Sequence, residues 1–128
     1  LHRLIRRQRQ MCIRDSYPSI KIMLNRAYEI LPLVEKSIDM VLGESIHSDY
    51  DFESGTYRLV EEELYHRQVE MLQEARRRNP KLRIFTLDYW DPVDRVKIKE
   101  IYRVQRANGF IPYVATINLD QLVEEPDE

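Results

Sequence analysis

The sequence predicts an α/β fold with parallel strands, on two observations. Four short apolar runs each end in a polar or acidic residue, and they lie at residues 20–24, 40–43, 82–87 and 110–115. Continuous apolar runs bounded by turn residues are typical of strands that are buried on both faces. Helical patterns separate the runs, and strands that alternate with helices form βαβ units with a parallel sheet.

The first half of the chain contains two of these strands. After the strand at residues 20–24, residues 27–36 are predicted to form a short helix. This helix starts or breaks at Pro32, because proline cannot donate the internal hydrogen bond. The second strand covers residues 40–43, and the polar stretch 45–55 that follows it is predicted to be a loop.

The longest helix comes next, and Asn79 and Pro80 are expected to end it. Its acidic residues lie in the early turns and its arginines in the last turn, which complements the helix dipole at both ends. One face carries apolar and aromatic residues at helical spacing, namely Tyr57, Val60, Leu64, Met71, Leu72 and Ala75.

The third strand, at residues 82–87, leads into a further helix. Asp91 is predicted to cap this helix, with Pro92 at its first position. Asn108 and Gly109 end it, and residues 110–117 form the fourth strand. The predicted order is therefore β-α-β-α-β-α-β. A closed (β/α)8 barrel needs about 250 residues, so four strands within residues 17–128 amount to about half of such a barrel.

Residues 1–16 differ in composition from the rest of the chain. Residues 1–14 contain five arginines and no acidic residue, whereas residues 15–128 hold 15 basic and 22 acidic side chains. The basic segment alone is compatible with a nucleic-acid arm, but the acidic body argues against a nucleic-acid partner. Residues 11–16 also resemble translated sequencing-adapter sequence. We therefore predict that residues 1–16 are not native to the domain.

The composition excludes several other classes of protein. Cys12 is the only cysteine, which rules out an internal disulfide and a metal site built from cysteines. The apolar runs are too short to span a membrane, and no apolar core of a signal peptide follows the basic residues. Neither a glycine-rich phosphate loop nor a serine nucleophile elbow occurs. We predict no cofactor.

Polar residues at the strand ends predict an active-site face, because ligands bind at the carboxyl ends of parallel strands. Glu44 follows the second strand and Asp88 the third. A carboxylate at the rim of an apolar sheet can act as general acid, base or nucleophile. Tyr89 and Trp90 follow Asp88, and aromatic rings suit the apolar face of a sugar. Each residue also has a structural alternative, since the acids can bind loop amides and Trp90 can simply pack.

Asn25 and Arg26 end the first strand and are candidates to bind hydroxyl groups or to orient a carboxylate. Arg26 could equally form a structural ion pair. His47, Asp49 and Asp51 alternate along the predicted loop, as metal ligands sometimes do. No second histidine lies nearby, and a solvated acidic loop is commoner, so we predict no metal site.

These strand ends resemble the C-terminal half of a family of barrel enzymes, the endo-α-1,4-polygalactosaminidase type or glycoside hydrolase family 114. The resemblance covers about residues 17–125. It implies a (β/α)8 barrel and hydrolysis of α-1,4-linked galactosamine-type polysaccharide, outside the cell or in the bacterial envelope. It rests on Ile22-Met23-Leu24-Asn25-Arg26, Val41-Leu42-Gly43-Glu44-Ser45, Thr86-Leu87-Asp88-Tyr89 and Gly109-Phe110-Ile111-Pro112-Tyr113-Val114.

The resemblance also implies roles for single residues. Glu44 matches the catalytic glutamate, while the catalytic aspartate lies on an earlier strand, in the half that is absent here. Asp88 is the alternative second catalytic carboxylate, and glycoside hydrolysis needs two. The candidate substrate-binding residues are Asn25, Arg26, Ser45, Tyr89, Trp90 and Asn118.

The expected partners are a polysaccharide and the missing N-terminal half of the barrel. The fragment alone should be inactive, and we expect it to self-associate, because a half barrel has two open strand edges. Two alternatives remain: a carbohydrate-binding or envelope-associated barrel domain without catalysis, and a phosphate-sugar barrel enzyme with its phosphate near Asn118.

Overall fold

Four parallel strands alternate with helices in the structure, a computed structural model that describes residues 1–127 except for the side chains of residues 2, 3, 6, 7, 10 and 11. Residue 128, the last of the predicted domain, lies outside the described residues. The elements are α1 (His2–Ser16), β1 (Met23–Asn25), α2 (Leu31–Val34), β2 (Met40–Glu44), β3 (Ser48–Asp51), β4 (Thr56–Leu59), α3 (Glu62–Arg78), β5 (Arg83–Tyr89), α4 (Arg95–Ala107) and β6 (Ile111–Ala115).

The main sheet has the strand order β1-β2-β5-β6, and all its neighbours are parallel. Each strand therefore lies beside the next strand of this sheet along the chain, as in a (β/α)8 barrel. The predicted α/β half barrel with four parallel strands is confirmed. Strands β1 and β6 form its two edges.

One face of the sheet carries the apolar core. Leu24, Val41 and Ile84 project from three neighbouring strands and are at most 8% exposed. They pack in one cluster with Leu72 of α3. Gly43 lies on the same face, where an added Cβ would come within 3.1 Å of the Leu72 side chain. The close approach of α3 to β2 therefore depends on a glycine at this position.

The opposite face is only half covered. Side chains alternate along a strand, so the residues between the core positions project to this second face. Met23 and Ile111, on the two edge strands, are 43% and 42% exposed. The central strands β2 and β5 add further half-buried apolar side chains there, namely Met40, Leu42, Phe85 and Leu87. In a closed barrel this face would be the interior.

The sequence prediction of a loop at residues 45–55 is wrong, because most of this stretch forms an antiparallel hairpin with β4. Strands β3 and β4 pair from Ser48 opposite Leu59 to Asp51 opposite Thr56. Gly55 closes the turn with a φ of 68°, and its N–H donates to the Asp51 carbonyl at 2.8 Å. Positive φ is accessible to glycine without steric cost, which explains this residue in the turn.

Three helix boundaries also differ from the sequence prediction. The helix α2 covers only four residues rather than 27–36. Helix α3 starts at Glu62 because the Glu61 carboxylate accepts hydrogen bonds from the N–H groups of Glu63 and Leu64, which leaves Tyr57 in β4. Helix α4 is capped by Asp94, which accepts from Lys97 N–H, rather than by Asp91.

The N-terminal segment forms helix α1, which the ion pair of Arg14 with Asp39 (2.8 Å) joins to the body. Arg14 also donates to the Ser37 carbonyl at 3.0 Å. Burial raises the pKa of Asp39, but the Ile22 N–H and Arg14 outweigh this effect and hold it below its usual value. The apolar side chains of α1 that are described are largely exposed, with Leu4 63% exposed.

Deleting residues 1–16 is therefore expected to lower the free energy of unfolding by only about 1 kcal/mol, because a partly exposed ion pair contributes little. Urea denaturation of the full chain and the shortened chain, followed by circular dichroism, measures this difference. A loss of several kcal/mol would show that α1 is an integral part of the domain.

Candidate active site

Glu44 lies at the carboxyl end of β2, where its side chain is directly bound by Tyr89. The Tyr89 hydroxyl donates to Glu44 Oε1 at 2.6 Å. Burial raises the pKa of Tyr89 above its usual value, and the hydrogen bond to Glu44 raises it further, so the phenol stays protonated and remains a donor. Tyr89 is 4% exposed, whereas the Glu44 side chain keeps 26% of its surface accessible. The carboxylate is thus held in place but still reachable by a ligand.

Arg26 approaches the same carboxylate from the end of β1. Its Nε lies 3.9 Å from Glu44 Oε2, and its Nη2 donates to the Glu44 carbonyl at 3.2 Å. Its side chain is half exposed. Arg26 therefore contacts both the carboxylate and the backbone of Glu44 and presents a half-exposed cation at the site.

Strand ends at this rim have unusual backbone conformations. Arg26, Ala27, Ser45 and Leu119 have φ between 54° and 55°, in the left-handed region. Each such position costs a non-glycine residue about 1–2 kcal/mol, and such strain is concentrated at functional sites. Arg26 and Ser45 directly follow β1 and β2, which end in the predicted site residues Asn25 and Glu44. Ser45 is held by two hydrogen bonds, from its N–H to the Leu87 carbonyl (2.8 Å) and from Oγ to Asp49 (2.8 Å).

Asp88 does not share a cleft with Glu44. Glu44 pairs with Leu87 in the sheet register, so Asp88 projects from the opposite face. Its side chain is fully buried. Oδ1 accepts from the N–H groups of His47 (2.8 Å) and Ser48 (2.9 Å), and Oδ2 accepts from Gln105 Nε2 at 2.6 Å. The geometry corresponds to the structural alternative in which the acid binds loop amides.

The electrostatics of Asp88 follow from this environment. Burial raises its pKa, while the N–H of Ser48, the amide of Gln105 and the N–H of His47 oppose the rise. Both carboxylate oxygens are engaged, and all these contacts join β5 to the start of the hairpin and to α4. Asp88 thereby fixes the segment that follows Glu44 and Ser45.

The other predicted binding residues lie at the same end of the sheet. Trp90 is half buried, and its Nε1 donates to Asp94 at 3.1 Å, so it has a structural contact as well as accessible ring surface. Asn25 is exposed and shares the Glu44 face of the sheet, because it pairs with Leu42. Asn118 is exposed in the turn after β6. Neither asparagine contacts Glu44 in the described hydrogen bonds.

The alternating His47, Asp49 and Asp51 do not converge on one point. Asp49 binds Ser45, and Asp51 accepts from the Glu53 N–H and from Ser54. The His47 ring packs edge-on against Tyr65, with 5.2 Å between the ring centroids, and burial lowers its pKa. Within residues 1–127, no group of three or more His, Cys, Asp or Glu side chains is placed to hold a metal ion.

A cleft of about 560 Å³ lies beside this site, between the end of β1, the hairpin and the start of α3. Arg26 and Ser45 line it, but Glu44 and Tyr89 do not. Sequence reasoning missed two of its wall residues, Tyr28 and Gln68, each of which has a buried polar atom without a hydrogen-bond partner. Burial raises the pKa of Tyr28 to about 12. The spacing of the apolar residues around Tyr28 and Gln68 in the sequence does not indicate that these two residues border a cleft.

Two solved structures are similar to the chain over 96% of its length. One is the glycoside hydrolase domain of PelA from Pseudomonas aeruginosa, with 27% identity and a TM-score of 0.82. The other is a glutamate-to-alanine variant of that domain, with 26% identity and the same TM-score. The PelA domain is a member of glycoside hydrolase family 114. The predicted resemblance is confirmed. The chain spans about half the length of these domains, covering 48% of each.

Two other comparisons found nothing. No protein-family model matches the chain, and no curated protein matches it. The similarity to the two solved structures shows that the chain has a glycoside hydrolase fold. No helix within residues 1–127 is both long enough and apolar enough to cross a membrane.

Proposed function

We propose that the chain is half of a glycoside hydrolase barrel, the half that carries the catalytic glutamate. The whole enzyme cleaves α-1,4-linked galactosamine-type polysaccharide. The observation that carries this proposal is the position of Glu44, at the carboxyl end of a barrel strand in a chain that resembles a glycoside hydrolase domain. Tyr89 and Arg26 hold this carboxylate in an accessible position, as a catalytic group requires.

Glycoside hydrolysis uses two carboxyl groups, one of which protonates the leaving oxygen while the other attacks the anomeric carbon or activates a water. Glu44 supplies one of them. Because Asp88 projects to the other face, the second carboxylate comes from the remaining part of the barrel, consistent with the aspartate that the family resemblance implies. Glu44 accepts a hydrogen bond from the Tyr89 hydroxyl at 2.6 Å, and the Arg26 guanidinium lies 3.9 Å from its other carboxylate oxygen.

The open face of the sheet supports a role for a second half barrel. Met40, Leu42, Phe85 and Leu87 leave apolar surface on the Glu44 side of the sheet. Four further strands would bury this surface and close both edges. We propose that they also complete the substrate cleft, and that the whole enzyme acts outside the cell or in the envelope.

A carbohydrate-binding domain without catalysis is the second candidate. The separation of Asp88 from Glu44 favours it, since Asp88 was the alternative second catalytic carboxylate and does not lie on the Glu44 face. In that case Tyr89, Trp90 and Asn25 would serve binding alone.

The experiment compares the chain alone with the chain joined to a complementary half barrel, using an α-1,4-linked galactosamine polymer as substrate. We expect the joined protein to release oligosaccharides, detected by mass spectrometry, and the chain alone to release none. A β-1,4-linked glucosamine polymer is the control and should stay intact. Binding of the galactosamine polymer without cleavage by a folded joined protein would contradict the enzymatic proposal and favour the binding domain.

A further inference from the structure

The hairpin that sequence reasoning missed carries aromatic rings that continue a row ending at Trp90, at the carboxyl end of β5 and on the same rim of the sheet as Glu44. Phe52, Tyr50, Tyr57 and Trp90 follow one another, with centroid separations of 5.1, 5.0 and 6.2 Å. Trp90 directly follows Tyr89, the residue that binds Glu44. The four rings, which we call the aromatic row, thus extend from the strand-end rim to the tip of the hairpin.

Two rings of the aromatic row, those of Tyr50 and Tyr57, have a structural role in the hairpin. Tyr50 and Tyr57 face each other in the register of β3 and β4, and such cross-strand aromatic pairs stabilise a hairpin. The Tyr57 hydroxyl also accepts from the Ile117 N–H at 3.2 Å, which joins the hairpin to the end of β6. These contacts hold the hairpin against the rim.

Phe52 is not explained in this way. It lies in the turn, is 79% exposed, and contacts Tyr50 edge-on with an interplanar angle of 77°. A phenylalanine that leaves most of its surface in water at the tip of a hairpin loses the benefit of burial. Exposed aromatic surface that continues a candidate ligand site is a feature of binding surfaces.

The polar groups around Phe52 suit a carbohydrate. Asp51, Glu53, Ser54 and Thr56 lie next to Phe52 along the hairpin, and Ser54 Oγ lies 3.0 Å from Asp51 and 2.7 Å from Thr56. Hydrogen bonds from the turn hold the pKa of Asp51 below its usual value, so the carboxylate is charged. A sugar ring presents an apolar face to an aromatic ring and a rim of hydroxyl or amino groups to acceptors of this kind.

We propose that the aromatic row is an extended subsite that binds sugar units of the polysaccharide beyond those at Glu44. This inference rests on the proposed function for the identity of the polymer. A chain held at Glu44 would pass Trp90 and reach Phe52 at its far end. Short oligosaccharides occupy only the positions near Glu44, so the contribution of Phe52 should increase with the length of the ligand.

The test measures binding of α-1,4-linked galactosamine oligosaccharides of increasing length to the full chain by calorimetry. Phe52→Ala is expected to weaken the binding of the longest oligosaccharides by about fivefold and to leave that of disaccharides unchanged. Phe52→Tyr should restore the affinity, because it keeps the ring. Tyr17→Ala is the matched control, since Tyr17 is an aromatic residue that is 64% exposed and precedes β1, at the opposite end of the sheet.

Equal affinities of Phe52→Ala and the unchanged chain for the longest oligosaccharides would overturn the inference, and so would an equal loss for all lengths. Circular dichroism should show that Phe52→Ala keeps its fold. The readout is binding and needs no turnover. Absence of hydrolysis by the chain joined to a complementary half barrel, with length-dependent binding retained, would therefore contradict the enzymatic proposal and leave the subsite in place.

Discussion

Replacing Glu44 with glutamine in the chain joined to a complementary half barrel is expected to reduce hydrolysis of the galactosamine polymer by about 10²–10⁴-fold. The amide has nearly the same shape as the carboxylate, but it can neither take up a proton nor act as a nucleophile. Affinity for the polymer should change little, because the Tyr89 hydroxyl still finds an oxygen acceptor at this position. Initial rates and direct binding measurements separate the two effects.

Two variants make the test specific to the carboxylate. Tyr89→Phe keeps the ring and removes the hydroxyl that donates to Glu44, so we expect a loss of only about tenfold in rate. Glu70→Gln changes a carboxylate that is exposed on helix α3 and should leave the rate unchanged. Full activity of Glu44→Gln in a folded protein would remove this residue from the mechanism.

The sheet could be predicted from the sequence because local signals are strong there. The runs at residues 40–43 and 82–87 are continuous, apolar and separated by a clear helix, so they read as parallel strands. In the structure the first of these strands ends one residue later than predicted, at Glu44. The second begins one residue later and ends two residues later, and covers Arg83–Tyr89. The polar residues at their ends were therefore placed at the correct rim.

The hairpin could not be predicted because its first strand is polar and lacks the continuous apolar run that marks the strands of the main sheet. Strand β3 reads Ser48, Asp49, Tyr50, Asp51, which has no apolar face of its own. The hairpin is held by pairing with β4 and by the contacts of Asp88 with the backbone just before Asp49. These contacts join residues about 40 positions apart, and no local spacing encodes them.

The alternative in which Asp88 is the second catalytic carboxylate beside Glu44 does not match the geometry, for a related reason. Both residues do lie at the carboxyl ends of neighbouring strands, as expected. Which face each side chain takes depends on the register between the strands, and a shift of one residue exchanges the faces. Here Glu44 is opposite Leu87, so Tyr89 rather than Asp88 shares its face. The register follows from tertiary packing and is not visible in either strand alone.

Replacing Asp88 with alanine is expected to lower the free energy of unfolding by about 3–5 kcal/mol. The substitution leaves the N–H groups of His47 and Ser48 and the amide of Gln105 without their acceptor in a fully buried position. Since domains of this kind are stable by only about 5–15 kcal/mol, the variant should be largely unfolded at low urea. Urea denaturation followed by circular dichroism measures the loss.

Asp88→Asn is the variant that separates a structural role from a catalytic one. Its side-chain oxygen can still accept from the His47 and Ser48 N–H groups. Its amide nitrogen would face Gln105, which can rotate its own amide to present Oε1, at the expense of the 3.3 Å hydrogen bond from Asn108. We therefore expect a loss of about 1 kcal/mol in stability and less than about tenfold in activity of the joined protein. If Asp88 were the second catalytic carboxylate, the same substitution would leave a stable protein with activity lowered by at least about 10²-fold, because an amide cannot exchange the proton that the reaction requires.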